Sequence, residues 1–349
     1  MNLHQSTEEI YNGIRVHSEC ETRQLASRQD HAAYGSYTDY GKTFWGVTFD
    51  GHGNHQAIQR IRGANLDEIM KRPFPWIDIQ KILDEDPAGT DVKLRSGSTM
   101  VLTKIHVFDD EIRVVVTTIG DSTAVVFVNH EPVFTTTPHS LDNGEEIARL
   151  IQENRVNVSE IVVTKGQSFE VISPTKLRTT AGKYVVFRPK STQIAGARTA
   201  IQYKSPIRKF ELAMTQSLGH CGYTGIRPTT TVLKCRRTDH INVCMSSDGV
   251  TDVLPVNGLD SHNTFTFMTS TTTALLNEAE RRWKQDWLAY NDTNLMSAVK
   301  NRFPKDGYDD CSCAILVVES VPEPVPASAS ATDMASYSVD MPAPPEEGD

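Results

Sequence analysis

The 349-residue sequence has no apolar run of membrane-spanning length; residues 314–318 are typical of its longest. Residues 1–11 are polar and lack the apolar stretch of a signal peptide. These two absences argue against a membrane protein and make a cytoplasmic location, or a nuclear one, the expectation. The six cysteines (Cys20, Cys221, Cys235, Cys244, Cys311 and Cys313) form no Cys-x-x-Cys pair. Cys311 and Cys313 are two apart in an apolar run, which puts them on one strand face rather than around an ion, so buried reduced thiols are expected. No Ser, Cys or His stands in a suggestive nucleophilic triad.

What is present is a hydrophobic content of 38%, enough for a sizeable core in one large domain or two ordinary ones. The net charge of −9 is unevenly spread. Residues 320–349 hold six acids, no bases and six prolines among Ala, Ser and Glu. Such a segment buries too little apolar surface to order itself, and a disordered tail is expected there. Residues 155–211 carry eleven bases against three acids. They read as an inserted hairpin or loop set with solvated lysines, or as a docking surface for an acidic partner. Nucleic acid is not expected, because Phe169, Tyr184, Phe187 and Tyr203 show no regular interleaving with the bases. The rest of the chain is strongly acidic.

Apolar alternation marks strands at residues 43–49, 101–106, 113–119, 124–128, 241–245 and 313–318. The short Gly120-Asp121-Ser122 link predicts a hairpin between 113–119 and 124–128. Helical spacing appears over 54–70, broken near Gly63. A second helix begins at Asp142, with Glu145 as capping partner. A third covers 271–290, with Leu275, Leu276, Ala279, Trp283 and Trp287 on one side. Two antiparallel sheets flanked by helices fit this α+β alternation.

Four acidic turns follow apolar runs or lead into one: Asp50-Gly51-His52-Gly53, Gly120-Asp121-Ser122, Asp248-Gly249 with Asp252, and Asp309-Asp310. Each alone is an ordinary turn. Together, carboxylates lifted to strand ends by separate segments can build an oxygen-lined site for hard divalent cations.

The whole series is more specific. Asp-Gly-His-Gly at 50–53 is followed by Arg95-Ser96-Gly97-Ser98-Thr99, then Gly120-Asp121-Ser122, then Glu146-Ile147-Ala148-Arg149-Leu150. Residues 212–219 (Leu-Ala-Met-Thr-Gln-Ser-Leu-Gly), Ser247-Asp248-Gly249 and Asp309-Asp310-Cys311-Ser312 close it. This order resembles the metal-dependent protein serine/threonine phosphatases of the PP2C (PPM) family, over residues 20 to 318 less the basic segment. The resemblance implies a four-layer α-β-β-α sandwich in a domain at 1–319, carrying the basic insertion at 155–211. It implies two Mn²⁺ or Mg²⁺ ions, with a third bound more weakly, and hydrolysis of phosphoserine and phosphothreonine in protein substrates by a water bridging the two ions. Asp50 matches the bridging ligand, Gly51 a carbonyl ligand, and Asp248 and Asp309 further ligands. Asp30 matches the acid that holds metal-bound water, Asp121 and Asp252 the acids of the third position, and His52 the general acid. A monomer acting without a membrane is expected.

Four positions depart from the family pattern. Leu25 stands where a phosphate-binding Arg is usual, leaving Arg23 and Arg28 as candidates for that role. Gln29 replaces Glu, Asp310 replaces Asn, and His220 replaces the Asp of Leu-Gly-Asp. The alternatives are therefore a catalytically inactive binding or scaffold module of the same fold, or a binuclear-metal phosphatase of small phosphate esters.

Overall fold

Period-two burial along the strands sorts the apolar side chains of this protein into separate layers. The computed structural model describes residues 3–140, 143–153, 161–163, 166–182, 199–203, 210–212, 214–291 and 294–321. In chain order the elements are β1 (Leu3–Tyr11), β2 (Ile14–Arg23), β3 (Asp30–Thr38), β4 (Lys42–His52), α1 (Gln56–Arg62), α2 (Leu66–Met70), α3 (Pro75–Asp84), α4 (Thr90–Leu94), β5 (Gly97–Ser98), β6 (Met100–Val107), β7 (Glu111–Ile119), β8 (Thr123–Val128), β9 (Glu131–Thr135) and α5 (Gly144–Gln152). There follow β10 (Ile161–Val163), β11 (Gly166–Ser173), β12 (Lys176–Gly182), β13 (Thr199–Tyr203), β14 (Phe210–Leu212), β15 (Leu218–Gly219), β16 (Thr229–Arg236), β17 (Ile241–Ser246), α6 (Asp248–Thr251), α7 (Ser261–Met268), α8 (Thr272–Lys284), β18 (Asp286–Asn291), β19 (Asn294–Arg302) and β20 (Cys311–Ser320).

One antiparallel sheet has the order β1-β2-β20-β17-β8-β9. The other runs β15-β5-β4-β6-β7-β16, with β3 on β4. Alternate residues of each strand face opposite layers. Ala124, Val126, Val243, Met245, Ala314 and Leu316 meet Phe44, Val101 and Ile105 between the sheets. Val125, Phe127, Cys244, Cys313 and Ile315 point the other way, onto Leu275, Leu276, Ala279 and Trp283 of α8. On the opposite face Trp45, Val47, Phe49 and Leu102 pack against Ile58 and Ile61 of α1 and Ile79 of α3. Helices, sheet, sheet, helices: the fold is the α+β sandwich that the alternation implied. Among the described residues no helix is long and apolar enough to cross a membrane. All six cysteines are free thiols, five of them buried.

Two local expectations are overturned. Residues 113–119 and 124–128 do not pair as a hairpin. β7 lies between β6 and β16 in one sheet, and β8 between β17 and β9 in the other. Gly120-Asp121-Ser122 therefore carries the chain across the sandwich, because both strands are buried enough to need two partners each. The helix expected over 271–290 stops at Lys284, where Gln285 is extended, and Trp287 belongs to β18. Its spacing from Trp283 mimics another helical turn, yet β12 runs parallel to β18 and claims it as a strand. Trp287 is buried in the same core either way.

The basic segment supplies β10 to β14. Its β11–β12 hairpin joins β18 and β19 in a four-stranded sheet. Of its eleven bases, only Lys176 and Arg178 are among the described residues, and Arg178 pairs with Glu170 at 3.2 Å. Residues 322–349, nearly all of the expected tail, and Asp142 lie outside the described residues. The helix near Asp142 is α5, where Asn143 Oδ1 accepts the Glu145 N–H at 3.1 Å.

Candidate active site

Four strand termini converge at one end of the sandwich. Asp30 opens β3 directly opposite Asp50, near the end of β4. In the other sheet β17 ends at Ser246 opposite Cys313 of β20. This sets Asp248, the first residue of α6, beside Asp309 and Asp310, which precede β20. The Ser247 N–H donates to the Ser312 carbonyl and the Ser312 N–H to Ser247 Oγ, both at 3.0 Å, locking the two segments together. Backbone packs tightly where they meet. A Cβ on Gly249 would stand 1.9 Å from the Asp310 carbonyl oxygen, and one on Gly51 would stand 2.3 Å from Ile58 Cγ1. Only glycine fits at either position.

The carboxylates crowd together, with the charge of Arg62 acting on Asp30 and Asp310. Asp30, Asp50 and Asp310 are buried. Burial pushes the Asp50 carboxyl well above its ordinary value, and the charges of Asp248 and Asp30 push it further. Asp248 acts on Asp50 most strongly of the neighbouring acids. Asp30 is pushed up to about 8, first by burial and then by Asp310, against hydrogen bonds from Ser247 and Ser312. Among the described residues, Asp30 Oδ2 and Asp248 Oδ1 are buried with no hydrogen-bond partner.

These donors fit hard divalent cations by chemistry: all are oxygen, two are unsatisfied, and like charges have been forced together. They do not form a finished cage, since among the described residues no three His, Cys, Asp or Glu side chains are arranged as a metal-holding group. Asp121 lies in the turn between β7 and β8. Asp252 follows α6, its N–H bonded to the Asp248 carbonyl at 2.7 Å. Neither is among the main charges acting on Asp30 and Asp50.

Asp310 has a structural task that an asparagine could not perform. Its Oδ1 accepts the Ala26 N–H at 2.9 Å, and its Oδ2 accepts both the Ser27 hydroxyl and the Gln29 N–H at 2.7 Å. Three donors on two oxygens need a carboxylate, because an amide offers one acceptor oxygen. The loop so held carries Arg28 with φ 62°.

His52 sits beside a second imidazole. His52 Nε2 is 2.9 Å from His220 Nε2 and 2.9 Å from Ser217 Oγ, and the two rings stack. His220 Nδ1 lies 2.6 Å from the Leu94 carbonyl and must carry hydrogen there. Burial, only partly offset by that carbonyl, pushes His220 down to about 4 and keeps it neutral. Its Nε2 is then an acceptor, so His52 Nε2–H is the donor. Ser217 gives its own hydrogen to the Leu218 carbonyl at 2.8 Å and faces His52 with a lone pair.

The two candidate arginines part company. Arg23 is buried, with Nε on Glu21 at 2.8 Å and Nη1 on Glu280 at 2.8 Å, so it is committed to ion pairs. Leu25 packs on the core beneath α8. Arg28 instead borders a cavity of about 380 Å³, together with Thr22, Gln24, His31 and Arg62. Arg62 and Gln24 both donate to the Asp30 carbonyl, Gln24 at 3.0 Å. Nothing in the sequence pattern singled out Arg62. It ends a short helix, and its approach to Asp30 exists only in three dimensions. Ser247, Ser312 and Ser217 stand within the motif series, but nothing there gave them a role.

No family model and no curated protein matches the chain. Among solved structures it is similar to the serine-threonine phosphatase 2C from Toxoplasma gondii, with a TM-score of 0.50 and 13% identity over 91% of this chain and 99% of that one. A serine/threonine phosphatase from S. agalactiae aligns with a TM-score of 0.44 and 15% identity over 90% and 99%. A C. elegans sex determining protein aligns with a TM-score of 0.46 and 20% identity over 88% of this chain and 66% of that one. The likeness to the T. gondii phosphatase is one of fold, and the fold is PP2C-like.

Proposed function

We propose that this protein is a metal-dependent protein serine/threonine phosphatase acting on phosphoserine and phosphothreonine. The observation that carries the reading is the cluster of buried carboxylates, only partly offset by Arg62, at one end of a PP2C-like sandwich. A fold gains nothing from burying like charges together unless a cation completes them. In this reading Asp50, Asp248, Asp309 and the Gly51 carbonyl hold two Mn²⁺ or Mg²⁺ ions, and Asp121 and Asp252 belong to a weaker third position. Bound cations of this kind supply a nucleophile at neutral pH and neutralise phosphoryl charge.

The chain's own residues do the rest. Asp30, with Oδ2 unsatisfied, accepts a hydrogen bond from water entering the site and orients it. His52 gives the leaving serine or threonine alkoxide its proton. Since Nε2–H is tied to His220 and Ser217, the transferable proton is the one on Nδ1 of the imidazolium. Cys311 is pushed well up by burial and the adjacent acids and takes no part as a nucleophile. The basic segment at 155–211 is proposed as a docking surface for an acidic part of the substrate protein.

Phosphate release from a phosphothreonine peptide, with Mn²⁺ and with chelator, in wild type and Asp248→Ala, tests the reading. Metal-dependent release that the substitution abolishes supports it; no release at any metal concentration defeats it. One observation favours a second reading, an inactive binding module: Leu25 and Arg23 are both withdrawn from the site. That module would bind a phosphopeptide and leave it intact.

A further inference from the structure

We propose that Arg62, with Arg28, forms the subsite that grips the substrate's phosphoryl group beside Asp30; this rests on the phosphatase reading. The position where the resemblance expects an arginine is Leu25, and the nearest basic residue in the chain, Arg23, is held by two glutamates. Charge must nonetheless come from somewhere. A phosphate monoester is a dianion, and five carboxylates (Asp30, Asp50, Asp248, Asp309 and Asp310) crowd this end of the sandwich. Two divalent cations offset only four of those charges. A phosphoryl group bound here would therefore need a further cationic partner from the protein.

The cavity shared by Arg28 and Arg62 offers one; none of the five carboxylates lines it, and Gln24 and Arg62 of its wall reach the Asp30 main-chain carbonyl. It measures about 380 Å³, room for a phosphoryl group with part of the side chain that carries it, and its lining includes Arg28, Arg62, Thr22, Gln24 and His31 beside the smaller Cys20 and Ala32. Arg62 is anchored by a main-chain carbonyl and, among the described residues, not by an ion pair; burial pushes its pKa down, and the charges of Asp30 and Asp310 partly offset this. One guanidinium nitrogen donates to the Asp30 main-chain carbonyl, which fixes its position relative to the carboxylates. A guanidinium has five N–H donors in a planar fork, so most of its bonding capacity remains for a bidentate grip on phosphate oxygens. Among the described residues neither Arg28 nor Arg62 belongs to an ion pair, in contrast to Arg23.

Arg28 reaches the cavity from the loop that Asp310 pins through three hydrogen bonds, so both arginines stand on supported backbone. The cavity wall adds no competing charge. His31 is kept neutral by burial and by Arg62, and it stacks on Phe49. Asp310 thus links the two departures from the family pattern. The carboxylate that replaces an amide holds the loop whose arginine helps replace the one missing at Leu25.

Calorimetric titration with inorganic phosphate, in Mg²⁺ and in chelator, tests the subsite without relying on turnover. Arg62→Gln should weaken phosphate binding in Mg²⁺ by about tenfold or more, a charge-assisted pair being at stake. Arg62→Lys should recover part of the loss, Arg28→Gln should weaken binding less, and Arg60→Gln, whose partner is Asp86 at 3.3 Å, should bind as wild type. Circular dichroism and melting curves confirm that each variant is folded. Wild-type affinity in Arg62→Gln, or no phosphate binding by the wild type in either condition, overturns the proposal. Peptide turnover separates it from the phosphatase reading. Turnover with an unchanged KM in Arg62→Gln sinks the subsite and leaves the enzyme standing. A phosphate affinity that falls with Arg62→Gln in a protein that never releases phosphate from peptides does the reverse.

Discussion

Two buried charge clusters in this protein are built on opposite plans. Under α8, Arg282 is completely buried, yet it donates to Asp260 Oδ2 at 2.5 Å, Glu278 Oε1 at 2.8 Å and the Val253 carbonyl at 2.8 Å. Burial pushes Glu278 up, and hydrogen bonds from Arg281 and Arg282 more than offset it. At the end of the sandwich, Asp30 and Asp50 are also buried, among further carboxylates, and both are displaced upward. The first cluster pairs its charges as folded, leaving Arg282 Nη2 buried without a hydrogen-bond partner among the described residues, and ties α6, α7 and α8 together. The second is left in deficit, and a deficit of positive charge is a binding capacity.

The largest expected contrast is in activity. Asp248→Asn should cut metal-dependent phosphate release by about a thousandfold or more, since several kcal/mol of charge stabilisation go with the cation. In chelator the same variant should melt at or above the wild-type temperature, because a like charge has been removed. A lower melting temperature in chelator would show the cluster to be structural. Asp260→Asn should do the opposite. It leaves Arg282 buried and underpaired and should cost about 3–5 kcal/mol of stability, read by urea unfolding. A neutral result would end the contrast from the other side.

Next in size is the pH response. Asp30 is raised from 3.8 to about 8, so the folded protein binds more protons than the unfolded chain across that interval. In chelator, stability contributed by Asp30 should be full below about pH 4 and drain away as pH rises toward 8; Mn²⁺, binding the charged form, should flatten the decline. A melting temperature independent of pH in chelator would contradict the assigned burial. The smallest effect is at His220. Removing the acceptor that orients His52, as in His220→Ala, should lower kcat about tenfold, a part of the 10²–10⁴ that a general acid contributes, with KM little changed. His220→Asn, which can still accept a hydrogen bond, should recover some of it. Equal loss in both variants would make His220 a packing residue only.

Much of this was legible in the sequence. Apolar runs at 43–49, 124–128 and 313–318 announced strands, and the acids flanking them announced a carboxylate-rich end. The failures share a cause. Gly120-Asp121-Ser122 looks like a hairpin because local geometry permits one, but β7 and β8 find better partners elsewhere. Trp287 continues a helical period, but a distant strand recruits it. Arg23 and Arg28 are equivalent as letters; one meets Glu280, 257 positions away in the chain, and the other meets a cavity.

The sequence by itself determined the layers and the chemistry available to them: strand period, helix period, and Asp residues at the mouths of strands. Those follow from spacing and side-chain type, which are local. Only the tertiary structure decided that Asp310 is a loop anchor, that His52 donates to His220, and that Arg62 stands behind Asp30. Each of those depends on which backbone passes within hydrogen-bonding distance of which side chain, and segments separated by dozens to hundreds of residues settle that together when the two sheets close on one another.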